Sequence, residues 1–193
     1  MFAAAALTAF ANASATAQQQ TQRVVGTIAS LDGAELVVKT RQGDVKVQLT
    51  DNVAVSGVVR RTLGDIGLGA FIGVGAMPQA DGSQRAVRIN IFPEGQRPNE
   101  GHRSWDGAPQ GTMTNATVAA SVAGVDGHVL TVKYRDGEKK IVITPETQIV
   151  ASLPGDRSEL KPGASVLITQ AVKKPDGTLE AARINVGRDG VVP

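Results

Sequence analysis

The 193-residue sequence contains no cysteine, which excludes disulfides, thiolate metal sites, iron–sulfur clusters and thiol catalysis. Aromatic residues make up only 3% of the chain, so the hydrophobic core must be built from valine, isoleucine, leucine and alanine. Neither sign of charge predominates, because the chain has 20 Lys+Arg and 18 Asp+Glu. The resulting net charge of +2 does not indicate a surface for polyanions.

The first 17 residues have the pattern of a targeting segment. They carry no charged side chain, run apolar from Phe2 to Phe10 and end in small residues of the Ala-x-Ala type. This pattern predicts the apolar region and cleavage site of a secretory signal peptide, whose true start we expect upstream of Met1 because basic residues are missing. The apolar run is about half of the ~20 residues needed to span a bilayer. We therefore expect a periplasmic or secreted mature protein that begins near Gln18 and has no transmembrane segment.

The rest of the chain contains an internal repeat. The segment Val25–Phe92 returns as Ala119–Gly187, displaced by 94 residues and later, after one inserted residue, by 95. A unit of about 70 residues is large enough to close a small core of its own. We therefore predict a first β-barrel repeat over residues 18–92, a Pro/Gly-rich connector over 93–117 and a second β-barrel repeat over 118–193.

Each unit consists of short β-branched runs separated by Asp-Gly or Gln-Gly, which is typical of antiparallel hairpins. Residues that stay apolar in both copies recur with a period of two, as expected for strands with one covered face. These pairs are Leu36 with Leu130, Val38 with Val132, Val47 with Ile141, Leu49 with Ile143, Ile72 with Val166, Val74 with Ile168, Val87 with Ala182, Ile89 with Ile184, and Ile91 with Val186.

The fold class that follows is all-β. We predict two tandem small antiparallel barrels of the oligonucleotide/oligosaccharide-binding (OB) type, with a β-sandwich as the alternative. A single helical turn capped by Ser158 and stopped by Pro162 would let Leu160 plug one barrel end.

Three motifs resemble a bacterial exported family of small β-barrel proteins of unknown function. They are Gly26–Gly33 (GTIASLDG), Glu159–Val166 (ELKPGASV) and Asp176–Ile184 (DGTLEAARI). The similarity covers both repeats, and its motifs consist of turn and core residues. The resemblance therefore implies a fold and an exported location, without a mechanism.

The sequence offers little catalytic chemistry. Only His102 and His128 could act as imidazole bases, and none of the zinc-protease, nucleophile-elbow or phosphate-loop motifs occurs. Residues 73–75 (Gly-Val-Gly) lie in a strand pattern, where glycines relieve crowding or mark bends. We expect no enzyme activity, no cofactor and no metal site.

The connector is the unusual segment, because it holds the only tryptophan and one of the two histidines. Trp105, His102 and Asp106 are the candidate ligand-binding residues at the junction of the two repeats, where binding sites tend to occur. The alternative interpretation is a linker whose Trp105 packs as a structural wedge between the barrels.

Nucleic acid is not an expected partner, because single-strand binders need aromatic platforms and a basic groove that this composition does not supply. We predict an exported, non-enzymatic module that binds an unidentified ligand or an envelope protein. The alternative is a periplasmic accessory that handles a metal ion or small solute at the inter-domain junction.

Overall fold

The computed structural model describes residues 20–124 and 127–193, so the predicted signal peptide lies outside the described residues. They form β-strands and two short 3₁₀ turns, Leu63–Asp65 and Arg157–Glu159, and the all-β prediction is confirmed. The strands are β1 (Thr21–Asp32), β2 (Glu35–Thr40), β3 (Gly43–Arg60), β4 (Phe71–Pro78), β5 (Gln84–Ile91), β6 (Gly101–Ser104), β7 (Thr112–Gly124), β8 (Gly127–Tyr134), β9 (Gly137–Ile143), β10 (Gln148–Pro154), β11 (Ser165–Lys173) and β12 (Leu179–Gly187). No helix in this part of the chain is long and apolar enough to cross a membrane.

Five strands close into a first barrel in the cyclic order β1, β2, β3, β12, β11. Neighbours are antiparallel except β3 and β12, which run parallel with Val47 opposite Leu179. The barrel prediction is therefore confirmed in its coarse form, and the β-sandwich alternative is not what the strands form. The OB-like topology stays a prediction.

A second set of five strands pairs in the cyclic order β4, β5, β9, β8, β7, which we call the second barrel. Its parallel pair is β5 with β9, where Gln84 lies opposite Ile141. Strand β6 adds to the start of β7 on the edge that β4 leaves open. Each barrel has its own cluster of buried side chains.

The second barrel is inserted within the first. Strands β4 to β9 follow one another in the chain, whereas the first barrel takes β1–β3 from before this segment and β11–β12 from after it. The pairing therefore does not follow the predicted boundaries, since β5 of the 18–92 unit pairs with β9 of the 118–193 unit. The predicted 93–117 connector contains β6 and the beginning of β7, which pairs with β4.

The chain crosses between the barrels at β3 and β10, which pair antiparallel at the junction. Ser152 lies opposite Val58, and these are the positions that the 94-residue repeat relates to each other. A pseudo-two-fold axis therefore passes through this pair. At the junction the buried side chains of Val150 and Val58 pack with Val191 of the C-terminal tail.

The predicted alternation is confirmed for the long strands. Leu36 and Val38 are fully buried in the first barrel, as are Leu130 and Val132 in the second. Leu160 is 3% exposed and belongs to the core of the first barrel, which it closes as expected.

The alternation prediction is wrong at Val87 and Ala182. Val87 is 38% exposed, and the buried residues are Ala86 and Ala181 instead. A register shift interrupts the pairing of β4 with β5 beside Val87, and another interrupts the pairing of β12 with β3 beside Ala182. Such an irregularity changes which side chains face the core beyond it.

The two copies differ in the length of their first hairpin. Ile28 pairs with Val38 in β1–β2, and Val118 pairs with Val132 in β7–β8. The repeat aligns Ile28 with Val122, which is 63% exposed, so four extra residues in the second hairpin break the sequence alignment there. Hairpin tips tolerate such insertions because few packed contacts depend on them.

The predicted cap of the second 3₁₀ turn is off by two residues. Asp156, not Ser158, caps it: its carboxylate accepts a hydrogen bond from the Ser158 backbone N–H at 2.7 Å, while Glu159 Oε1 accepts one from the Asp156 N–H at 3.2 Å. These reciprocal bonds form a capping box that fixes the approach of Leu160 to the barrel end.

Candidate functional site

The three predicted site residues lie on or just after β6 but do not converge. His102 pairs with Thr114 of β7, and successive side chains of an extended strand point to opposite faces. The His102 ring lies on the face that Thr114 turns toward the core of the second barrel. Trp105 lies on the other face, against the outside of β4, and Asp106 is exposed.

Trp105 packs on glycines. A Cβ atom at Gly75 would lie 2.8 Å from the indole ring, and one at Gly107 would overlap it. Gly75 and Gly73 alternate with the core residues of β4 and are buried from outside, by Trp105 and Phe92 respectively. The glycines therefore relieve crowding, as the sequence indicated, and Trp105 anchors the segment after β6 to the second barrel.

Asp106 connects this segment to the first barrel. Its carboxylate lies 3.3 Å from the Arg23 guanidinium of β1, and the Asp106 side chain is 67% exposed. An exposed ion pair of this kind contributes at most about 1 kcal/mol. Within the described ranges, no group of three or more histidine and acidic residues could hold a metal ion. The geometry thus does not bring Asp106 and His102 together as ligands.

His102 belongs to a different cluster, which we call the polar end of the second barrel: His102, Thr112, Thr114, Gln84 and Lys139. His102 Nδ1 lies 2.8 Å from Thr114 Oγ1, and the Thr112 hydroxyl donates to Gln84 Oε1 at 2.6 Å. Thr114 is fully buried and Gln84 is 4% exposed. The His102 ring also stacks on Tyr134, with centroids 6.3 Å apart.

The first barrel closes the corresponding end with apolar side chains. Val24 of the first barrel corresponds in position to Thr114 of the second. Val24 lies opposite Ile168, the second core residue of β11, and Thr114 lies opposite Val74, the second core residue of β4. Leu179 takes the place of Gln84, and Val45 that of Lys139. The same architecture can therefore be closed without polar groups.

Only His102 of this cluster is among the site residues predicted from the sequence. The replacements of Leu179 by Gln84 and of Val45 by Lys139 follow the repeat offset and were visible as polar residues at positions that are apolar in the other copy. The correspondence between Val24 and Thr114 could not be read from the sequence repeat, because the longer hairpin shifts the alignment of β7.

The polar end contains buried and partly exposed groups. A histidine next to a hydroxyl resembles a base with its nucleophile, but the Thr114 side chain is fully buried and cannot reach a substrate. Burial, and after it the Lys139 ammonium, lowers the pKa of His102 from its usual value. The ring is therefore neutral at pH 7, and Nε2 is the nitrogen left to face a ligand.

The lowered pKa of His102 gives an expected pH dependence. The unfolded chain binds a proton at this residue below about pH 6.5, while the folded protein resists it, so the free energy of unfolding falls as the pH drops through that range. Urea unfolding at pH 7.5 and 5.5 measures this. We expect His102→Gln to show a smaller loss than the wild type. Equal losses in the two proteins would contradict the assignment.

Comparisons with protein-family models, with curated proteins and with solved structures found no match to this chain.

Proposed function

We propose that the protein is an exported, non-enzymatic β-barrel module, OB-like in each barrel, that binds an envelope ligand at the polar end of the second barrel. The observation that carries this proposal is the difference between the two barrels. Thr114, Gln84 and Lys139 take the places that Val24, Leu179 and Val45 hold in the first barrel.

The buried polar groups of this cluster need partners to be tolerated. Burying a polar group costs about 1–3 kcal/mol on mutational scales unless its hydrogen bonds are restored, and here His102 and Thr112 supply the partners of Thr114 and Gln84. The first barrel supplies an apolar solution to the same packing problem, so packing alone does not account for the polar residues. Recognition of a ligand supplies the missing reason.

The groups present favour a polar ligand without net charge. His102 offers a neutral imidazole and Thr112 a hydroxyl, and the buried Gln84 holds that hydroxyl in place. The half-buried Tyr134 ring stacks on the imidazole and adds apolar surface beside it. Sugars combine hydroxyl or acetamido groups with an apolar ring face that stacks on aromatic side chains. We therefore propose an envelope saccharide as the ligand class.

The test replaces the polar residues by those of the first barrel. Thr114 and Gln84 are buried and act on the ligand only through the groups that they hold, His102 and Thr112. We expect Thr114→Val with Gln84→Leu to lose binding of an N-acetylglucosamine tetramer, followed by NMR titration, while its urea midpoint equals or exceeds that of the wild type. Thr169→Val with Gln170→Leu makes the same chemical changes at exposed positions of β11 and should bind like the wild type. Binding that survives the first pair, or is absent from the wild type, would contradict the proposal.

A further inference from the structure

One edge of β1 is unpaired over half its length. Residues 21–27 pair with β11 on one side, and β2 pairs on the other side only from Thr27 onward. In the chain that the structure describes, no strand pairs with the second edge over residues 21–26. An edge of this kind is a ready template for another strand.

In the second barrel the corresponding strand edge is covered by another strand. The strand of the second barrel that corresponds to β1 is β7. Ala116 of β7 lies opposite Ile72 and Gly26 of β1 lies opposite Val166, and the repeat relates Ile72 to Val166. The edge of β7 that corresponds to the open edge of β1 is covered by β6, antiparallel, with Gly101 opposite Asn115. The position on β1 that corresponds to Asn115 is Val25.

The backbone groups of Val25 point to this open edge. Ile28 donates to the Ala164 carbonyl and accepts from the Gly163 N–H, so its groups face β11. Backbone groups alternate in direction along a strand, so those of Gly26 face β11 and those of Val25 face away from it. Val25 is also 40% exposed, although it lies within a barrel strand.

A shallow groove lies at the beginning of β1, between the first residues of the open stretch and Lys173 of the paired strand β11. It has a volume of about 540 Å³ and is lined by Gln20, Thr21, Gln22, Arg23 and Lys173. Two of these side chains are cationic. The Arg23 guanidinium already donates to one carboxylate, that of Asp106, at 3.3 Å. The groove therefore suits a segment that carries acidic side chains.

We propose that an extended, acidic segment of a partner protein adds to β1 as an antiparallel strand over residues 21–26. Main-chain hydrogen bonds to Val25 would supply affinity, and Arg23 with Lys173 would select carboxylates. If the chain is cleaved near Gln18 as expected, the two residues before Gln20 are too few to turn back and pair with β1. The inference is independent of the saccharide site at the polar end.

The experiment uses the chain from residue 18 to 193 and a fluorescein-labelled peptide that copies residues 99–106, which include β6 and two acidic residues. Fluorescence anisotropy should show saturable binding. Val25→Pro should weaken it about tenfold or more, because proline removes the N–H that faces the added strand but spares the ladder to β11. Val25→Thr keeps that N–H and should bind like the wild type.

Amide hydrogen exchange gives a readout that does not depend on variants. In the free protein the Val25 amide should exchange much faster than the Asn115 amide, which β6 covers, and the peptide should slow it. Equal binding to Val25→Pro, or no change in exchange at Val25, would overturn the proposal. Binding that disappears when residues 1–17 are present would assign the edge to the chain itself and would also overturn it.

Discussion

Residues 61–149 expressed alone should fold into a cooperative β-barrel, and residues 118–193 expressed alone should not. The first segment contains every strand of the second barrel together with its buried cluster, from Ile66 to Ile149. The second segment contains β8 and β9 without the β4–β5 pair that closes their barrel, and β11–β12 without β1–β3. Far-UV circular dichroism and urea unfolding of both fragments measure this.

Two consecutive barrels would give the opposite folding result for both fragments. In that arrangement residues 118–193 would form one closed unit, and residues 61–149 would hold two incomplete halves. A cooperative unfolding transition of the 118–193 fragment as a monomer would therefore contradict the nested arrangement of the barrels.

A core truncation in one half of the sequence should destabilise the other half. Ile184→Ala in β12 should cost about 2–5 kcal/mol, the usual range for a fully buried isoleucine. Ile184 packs in the cluster that contains Leu36 and Val38, so the loss of amide protection should appear in β1 and β2, nearly 150 residues away in the chain.

Ile89→Ala is the reciprocal variant. Ile89 is fully buried with Leu130 and Val132, so its truncation should open β8 and β9 at a similar cost. Hydrogen exchange read strand by strand distinguishes the two variants. If Ile184→Ala loosens β8 and β9 instead of β1 and β2, the assignment of strands to barrels is incorrect.

The strands were predictable because core residues alternate and recur in both copies. The strand pairing that closes each barrel could not be predicted, for a physical reason. The two candidate partners for β1–β3 carry nearly interchangeable core residues: Ile72 corresponds to Val166 and Ala86 to Ala181. Hydrophobic pattern cannot choose between strands that fill the same volume, so the choice depends on how β3 and β10 cross at the junction.

The candidate site was predictable only in part. A lone histidine beside the single tryptophan drew attention to the segment around His102 and Trp105. The structure separates these residues onto two faces of β6, because three positions along a strand reverse the direction of the side chain. Thr114 and Gln84 gave no catalytic signal, since their polarity becomes informative only against Val24 and Leu179.

The insertion of one barrel within the other also sets an order of assembly. During synthesis from the amino end, β1, β2 and β3 emerge first, but their barrel stays incomplete until β12 has emerged, because Val47 pairs with Leu179. The second barrel has all its strands well before that point. The strands that are synthesised first therefore complete their barrel last. Their apolar side chains need protection from aggregation for most of the time that the chain is emerging.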